Sequence, residues 1–278
     1  HFINAQPLSQ RLDALLHEEV LKTSEVGIAV FDLTAGESVY RYQDDKLYRP
    51  ASVEKIITSV TALVQLGADY TMDTSLRYRG KIENDTLKGS LYLIGGFDPE
   101  FMDEDLDRLV DALASKGIRY VTDTLAADVS MTDSVYWGSG WCWDDTPYSF
   151  QPYLSPLMLN RGCVDVSVSP AQKDSLPKVV CTPVSDYYQV HNHGVSRNPQ
   201  AGKLKITRNW LSNGNIITVS GNVSYPYTEK LNVYTSKDFF FHTYKPQKQN
   251  AHFGKNKMPP KCDKLSSILT FQTAFKFL

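Results

Sequence analysis

The sequence predicts a mixed α/β fold of the α+β type, in which amphipathic helices accompany antiparallel β-hairpins. Apolar residues recur at helical spacing in three segments: residues 7–23, the segment that opens at Ser52, and residues 103–117. Residues 75–96 instead alternate apolar and polar side chains around two turn signals, which is typical of a half-buried hairpin. Apolar residues make up 42% of the 278 residues, enough for a sizeable core.

Charge and hydropathy argue against two classes of protein. The net charge is −2, whereas a nucleic-acid-binding protein usually presents a basic surface, so we expect no nucleic-acid partner. No apolar run approaches the length that spans a bilayer, so we expect no transmembrane segment in this chain. The chain begins at His1 rather than at methionine, and we expect that a leader or tag has been removed.

The four cysteines leave two interpretations open. None of them forms a C-x-x-C pair, so the sequence predicts neither a zinc site nor a redox pair. A disulfide such as Cys142–Cys163 is one alternative, and buried free thiols are the other. The remaining two cysteines are Cys181 and Cys262.

The first part of the chain is predicted to fold as a helix, a β-hairpin and a second helix. A continuous apolar face defines the first helix over residues 7–23. Residues 26–33 and 38–42 are strand-like and flank a turn. The second helix opens at Ser52, carries apolar residues at helical spacing, and ends at Gly67.

From Tyr70 onwards the pattern changes to strands with one further helix. The hairpin of residues 75–96 precedes the helix of residues 103–117, whose first turn is acidic, as the helix dipole favours, and whose charged side is predicted to be solvated. Residues 138–163 are rich in aromatic residues and proline, and are predicted to form a surface loop or the lining of a groove. Further strands are predicted over residues 122–130, 164–170, 203–211 and 216–223.

The segment from about Lys245 differs from the rest of the chain. It is rich in lysine, contains Asp263 as its only acid, and shows no clear strand or helix period before Leu265. We therefore expect residues 237–278 to include an atypical tail.

Ser52 and Lys55 form the main candidate site. Their S-x-x-K spacing puts both side chains on one face of a helix. A serine hydroxyl is a weak nucleophile unless a base takes its proton. A lysine is such a base only when neutral, so its pKa must fall from about 10.4 towards 7, a change of roughly 4–5 kcal/mol. The helix dipole supplies about 0.3–1 kcal/mol, so burial or a second cation must supply the rest. The alternative is an N-cap serine followed by a solvated lysine.

Three segments resemble one enzyme family. The segment "PASVEKI" after a helix and a hairpin is similar to the start of the serine penicillin-recognising fold, in which S-x-x-K holds the nucleophile. The segments "LKGSLYLIGGFDPEF" and "GWCWDDTPYSFQPYLSPLMLNRGCVDVSV" resemble the D-alanyl-D-alanine carboxypeptidase/endopeptidase family, the low-molecular-mass class C penicillin-binding proteins. The resemblance covers roughly residues 7–242.

This resemblance implies a set of roles. Ser52 would be the acylated nucleophile and one backbone oxyanion donor, and Lys55 would be its general base. Asp145 and Phe150 would bind the substrate, Asp145 by offering a carboxylate to an ammonium group and Phe150 as an apolar wall; the alternative for both is a structural turn with a buried ring. The partner would be a peptidoglycan stem peptide, with β-lactams as covalent ligands and no metal or cofactor. The expected location is the periplasm or cell envelope.

The resemblance also implies a domain plan and a loss. Residues 1–68 would be the N-terminal part of a β-lactamase/transpeptidase-like catalytic domain. Residues 69–90 with 165–236 would form an inserted β-rich domain, and residues 91–164 a second inserted domain. The S-x-N and K-T-G motifs that the family carries after these insertions do not follow residue 236. We therefore expect a truncated catalytic domain whose peptidase activity is absent or impaired.

Two other interpretations concern aromatic and histidine residues. Tryptophans at positions 137, 141 and 143 could stack on sugars, which favours a non-catalytic protein that binds cell-wall peptide or glycan. His191 and His193 would share one face if they lay in a strand, and two ligands can begin a metal site. No third ligand is evident, so the sequence favours a polar loop there.

Overall fold

The computed structural model describes residues 7–244 and 267–270. The chain divides into two compact units, His1–Gly67 and Ala68–Leu278. Apart from Ser267–Thr270, the predicted lysine-rich tail lies outside the described residues. Both units combine helices with β-sheets, which confirms the α+β prediction.

Unit 1 has the predicted order of helix, hairpin and helix. Strands β1 (Ile28–Asp32) and β2 (Glu37–Tyr42) pair in an antiparallel two-stranded sheet. Helix α3 (Glu54–Leu66) follows a 3-10 turn over Ala51–Val53 and ends at Gly67, whose φ of +85° a glycine adopts without strain.

The first predicted helix is two helices instead of one. Helix α1 covers Leu8–Leu15 and helix α2 covers Glu19–Lys22, because Glu18 takes an extended backbone with ψ of 142°. No residue from 7 to 67 is buried, and the large apolar residues of α3 are 42–73% exposed. Without tertiary packing, an apolar stripe stabilises a helix only weakly.

The first sheet of unit 2 is built on the predicted hairpin. Strands β3 (Ser75–Glu83) and β4 (Thr86–Ile94) pair antiparallel. Strand β4 also pairs in parallel with two short strands. These are β5 (Tyr120–Val121) and β6 (Leu125–Asp128); β13 (Ser267–Thr270) pairs with β3 on the other side. Helix α4 (Asp103–Ser115) buries Leu106, Leu109 and Leu113 against this sheet's core and exposes much of its charged side, as predicted.

Two three-stranded sheets complete the described part of unit 2. In the second sheet β7 (Cys163–Ser169) lies between β12 (Tyr227–Asn232) and β8 (Lys178–Thr182). The third has the order β10 (Lys205–Arg208), β11 (Ile216–Val223) and β9 (Gln189–Ser196), with β11 and β9 parallel. The final described helix, α5, covers Ser236–Tyr244.

Several of these elements correct the sequence prediction. His191 and His193 lie in strand β9, so the polar loop predicted there is wrong. Strands β8 and β12 and helix α5 were not predicted. One apolar core joins all three sheets of unit 2, from Leu76 and Leu91 to Val166, Val219 and Phe240. Long-range packing therefore decides strands whose own sequences are short and partly polar.

No helix in the described part of the chain is long and apolar enough to cross a membrane.

Candidate active site

The predicted nucleophile and base are in contact. Lys55 Nζ donates a hydrogen bond to Ser52 Oγ over 3.0 Å. Ser52 lies in the 3-10 turn Ala51–Val53, and Lys55 is the second residue of α3. The helix starts without a side-chain cap, so Ser52 does not serve as the N-cap that the alternative interpretation required.

The turn that carries Ser52 has an unusual backbone. Ala51 takes a φ of +45°, in the left-handed region that non-glycine residues rarely adopt. Such conformations cost about 1–3 kcal/mol and are found preferentially at functional sites. The strained residue directly precedes the proposed nucleophile, which the sequence pattern did not indicate.

The surroundings of the pair leave both side chains open to solvent. Both Ser52 and Lys55 are exposed. A lysine acts as a general base only where burial or a second cation favours its neutral form. The geometry of a serine–lysine pair is present, and the burial that would make the lysine a base is not supplied within unit 1.

Asp145 and Phe150 lie in the aromatic-rich loop of unit 2. Asp145 ends a 3-10 turn that begins at Trp143, and its side chain is half-buried. Among the described residues, none donates a hydrogen bond to the Asp145 carboxylate. Phe150 is 69% exposed and stacks on Tyr148 with the ring centroids 5.6 Å apart, so the alternative of a buried ring is wrong for Phe150.

A buried arginine anchors this loop. Arg208 is 2% exposed, and its guanidinium donates to Thr146 Oγ1 at 3.2 Å and to the side-chain oxygen of Asn232 at 2.7 Å. It also donates to the carbonyls of Asn232 and Gly214, at 3.0 and 2.7 Å. Burial lowers the pKa of Arg208, and the contact with Tyr153 opposes that shift. Asp145 directly precedes Thr146 and is positioned by this cluster.

Asn232 extends the anchor along the loop. Its amide nitrogen donates to Thr146 Oγ1 and to the carbonyl of Gln151, at 2.9 and 2.7 Å. Gln151 in turn donates to the carbonyl of Cys142 at 2.9 Å. Sequence analysis missed Arg208 and Asn232, because nothing local marks either of them as a partner of this loop.

The three tryptophans predicted to stack on sugars differ in their surroundings. Trp137 donates its indole N–H to the Pro152 carbonyl at 3.1 Å and packs against Tyr153 at 4.8 Å. Trp141 and Trp143 are 42% and 63% exposed. Trp137 therefore has a structural role, and the other two present aromatic surface to solvent.

The histidine pair has no further ligand nearby. The rings of His191 and His193 are 6.3 Å apart on one face of β9. Among the described residues, no group of three or more histidine, cysteine or acidic side chains could hold a metal ion. Two ligands alone do not make a structural metal site.

The described cysteines are free thiols. Cys142 is exposed, Cys163 buried and Cys181 half-buried. Burial raises the pKa of Cys163 to about 12 and that of Cys181 to about 11. The disulfide between Cys142 and Cys163 is therefore not formed, and the fourth cysteine, Cys262, lies outside the described residues.

Comparison with known proteins identifies relatives of this chain. The model of the D-Ala-D-Ala carboxypeptidase 3 (S13) family matches residues 8–247. A D-alanyl-D-alanine carboxypeptidase from Actinomadura sp. (strain R39) is 30% identical over 201 residues, which are 68% of this chain and 36% of the relative. The D-alanyl-D-alanine carboxypeptidase DacB of Haemophilus influenzae is 25% identical over 193 residues, or 68% and 39%. The chain thus spans well under half the length of these relatives.

Solved structures show the same fold. Penicillin-binding protein 4 (dacB) from Haemophilus influenzae superposes with a TM-score of 0.70 at 20% identity, covering 88% of this chain and 56% of that one. A structure of the same protein complexed with a β-lactam gives a TM-score of 0.64 at 18% identity, covering 90% and 55%. Similarity at this level of identity establishes the fold alone, and it confirms the predicted fold class.

Proposed function

Because this chain belongs to the D-Ala-D-Ala carboxypeptidase 3 (S13) family, we propose that Ser52 and Lys55 are the nucleophile and general base of a serine acyl-transfer site. Its substrate is the D-alanyl-D-alanine end of a peptidoglycan stem peptide. The observation that carries the proposal is the 3.0 Å hydrogen bond between Lys55 Nζ and Ser52 Oγ. This contact has the reach that a base needs to remove the hydroxyl proton.

The proposed reaction proceeds through these side chains, the backbone and water, without a metal or cofactor. A neutral Lys55 takes the proton of Ser52, and Oγ bonds to the carbonyl carbon of the penultimate D-alanine. The Ser52 N–H donates to the resulting oxyanion. The C–N bond breaks, the departing D-alanine nitrogen takes the proton from Lys55, and water later hydrolyses the ester. A β-lactam ring would open in the same way and remain bound to Ser52.

We further propose that the 278-residue chain alone is inactive or strongly impaired. Lys55 is exposed, and within the described part of unit 1 nothing supplies the burial or the second cation that a general-base lysine needs. The resemblance to the family assigns the second cation and the second oxyanion N–H to motifs that do not follow residue 236 here. The loss of one oxyanion donor typically lowers kcat by about 10²–10³.

Covalent labelling tests both parts of this proposal. We expect fluorescent penicillin to label the purified chain slowly, with mass spectrometry locating the adduct on Ser52. Ser52→Ala should abolish the adduct, and Ser59→Ala, a matched exposed serine in α3, should retain it. An adduct that survives in Ser52→Ala refutes the nucleophile. Rapid release of D-alanine from a D-Ala-D-Ala peptide by this chain refutes the impairment.

We propose that Asp145 and Phe150 bind the stem peptide. The Asp145 carboxylate would pair with the ammonium of the diamino acid, and the exposed ring of Phe150 would pack against its carbon chain. Asp145→Asn should weaken binding of a stem peptide that carries a free side-chain amine. The adjacent Asp144→Asn is a matched control and should bind normally, and equal affinity in both variants would exclude Asp145.

The same family membership supports proposals on location and domain plan. We place the protein in the bacterial periplasm or cell envelope, where its proposed substrate lies. We assign residues 1–68 to the catalytic domain, residues 69–90 with 165–236 and residues 91–164 to the two insertions, and residues 237–278 to the tail.

A second candidate function is a non-catalytic binder of cell-wall glycan or peptide. The exposed rings of Trp141 and Trp143 favour it, because uncovered aromatic surface is typical of binding sites. Binding of peptidoglycan fragments that is unchanged in Ser52→Ala and lost in Trp143→Ala would favour the binder over the enzyme.

A further inference from the structure

Unit 2 contains an open cleft that none of the predicted site residues lines. Its volume is about 570 Å³, within the range of sites that hold small ligands. One wall is the turn that joins β11 to β12, with Ser224, Tyr225 and Tyr227; the opposite wall is the segment that precedes β10, with Lys203. Asn222 lies at its floor.

Hydrogen bonds within the chain hold the floor of this cleft in shape. The backbone N–H of Asn222 donates to the Gly202 carbonyl at 2.9 Å. The Asn222 side chain accepts from the N–H of Asn198 and donates to Ser224 Oγ, both at 2.9 Å. Gly221 has a φ of +85°, and a Cβ there would lie 2.0 Å from the Lys203 carbonyl oxygen. The two walls therefore approach each other closely, and the cleft is preformed.

The triplet Ser220–Asn222 and its neighbour Ser196–Asn198 have the S-x-N pattern, and both lie in unit 2. Asn198 accepts a hydrogen bond from the N–H of Gln200 and caps a 3-10 turn. Asn222 bridges Asn198 and Ser224. These bonds assign structural roles to the asparagines, so neither triplet supplies the catalytic motif.

Two tyrosines give the cleft its chemical character. Tyr225 is 79% exposed and Tyr227 is 49% exposed. Tyr227 donates its hydroxyl to Glu229 at 2.9 Å, which fixes the ring. Exposed, ordered rings offer a large contact area at little conformational entropy. Such area in a cleft is typical of a ligand site rather than of ordinary surface.

The remaining groups select the class of ligand. Amide and hydroxyl groups of Asn222 and Ser224 line the cleft with the tyrosines, and Lys203 adds one cationic side chain. A pyranose ring presents an apolar C–H face that packs on an aromatic ring and a rim of hydroxyls that bonds to neutral polar groups. We propose that this cleft binds an oligosaccharide, as a site separate in sequence and function from Ser52.

Titration with a defined sugar tests this proposal. The probe is the β-1,4-linked tetrasaccharide of N-acetylglucosamine, followed by calorimetry and by backbone NMR shifts of the whole chain. Tyr225→Ala and Tyr227→Ala should each weaken binding at least fivefold, and Tyr225→Phe should stay within twofold because the ring is kept. Tyr120→Ala is the control, since Tyr120 is 42% exposed on β5 in another sheet.

The alternative outcomes are distinct. Ser52→Ala should bind the tetrasaccharide like the unsubstituted chain, so failure of the acylation proposal leaves this one standing. The proposal is overturned if the tetrasaccharide does not bind, or if both tyrosine variants bind it normally. It is also overturned if Trp143→Ala alone loses binding, or if a proline-rich peptide occupies the tyrosines and the sugar does not.

Discussion

Replacing Arg208 by methionine should destabilise unit 2 by about 2–4 kcal/mol. The guanidinium donates four hydrogen bonds, and its acceptors belong to Thr146, Gly214 and Asn232. Hydrogen bonds that involve a charged group contribute roughly 1.5–3 kcal/mol each, so the gross loss is roughly 6–12 kcal/mol. Burying the charge of arginine costs several kcal/mol of desolvation energy, which methionine does not incur. Subtracting this cost from the gross loss leaves a net destabilisation of about 2–4 kcal/mol.

The surroundings of Arg208 determine the sign of this effect. Among the described residues, no carboxylate forms an ion pair with Arg208. Methionine fills much of the same space, yet acceptors stay behind in Thr146 and Asn232, which are 3% and 0% exposed. An acceptor left unpaired in the interior costs about 1–3 kcal/mol, so destabilisation outweighs the relief of desolvation.

Tryptophan fluorescence is a suitable assay, because the four tryptophans are Trp137, Trp141, Trp143 and Trp210. Trp137 directly precedes the loop of residues 138–163, and Trp141 and Trp143 lie in it. Trp210 contacts Trp143 with the ring centroids 5.3 Å apart. Urea unfolding should show a lower midpoint for Arg208→Met. Arg119→Met, at an exposed and long ion pair with Asp85, should stay within about 0.5 kcal/mol of the unsubstituted chain. Equal stability of Arg208→Met and the unsubstituted chain would refute the anchoring role.

Four further outcomes follow from packing, backbone and burial. Leu91→Ala, at a fully buried core position, should lower the free energy of unfolding by about 2–5 kcal/mol, whereas Ile57→Ala in α3 should change it by less than about 0.5 kcal/mol. A large loss of unfolding free energy in Ile57→Ala, measured by urea denaturation, would show that the apolar face of α3 is packed against other residues and would contradict this prediction. Gly89→Ala should destabilise the hairpin by more than about 2 kcal/mol, because its Cβ would lie 1.9 Å from a backbone oxygen of β3; a normal thermal midpoint would contradict this. Cys142 should react with iodoacetamide at pH 8 at least about tenfold faster than Cys163, whose burial keeps its pKa near 12. Equal rates in peptide mapping would contradict that burial. Burial raises the pKa of Cys163 from 9.0 to about 12 in the folded state. The free energy of unfolding should therefore be unaffected by this thiol below about pH 9 and should fall as the pH rises towards 12, because the unfolded state then releases the proton first.

Local sequence patterns were sufficient to predict the elements and contacts whose residues lie close together in the chain. The hairpin of β3 and β4, helix α4 and helix α3 were predicted from periodicity and turn residues alone. The contact between Ser52 and Lys55 was also accessible, because three residues along one turn are neighbours whatever the rest of the chain does.

Contacts between distant parts of the chain had no such signal. Arg208 meets Thr146 across 62 residues, and no pattern in either segment indicates the other. The strand that contains His191 and His193 is polar, and it forms because β11 pairs with it in parallel. The left-handed turn at Ala51 was equally hidden, since alanine does not favour that conformation.

The sequence by itself determined the family, the helix that presents Ser52 and Lys55, and the antiparallel pairing of β3 with β4. Only the tertiary structure decided which side chains anchor the aromatic loop and which tyrosines line a cleft. The physical reason is range: helical spacing and turn chemistry act over a few residues, whereas burial and hydrogen-bond networks join residues that the chain brings together only by folding.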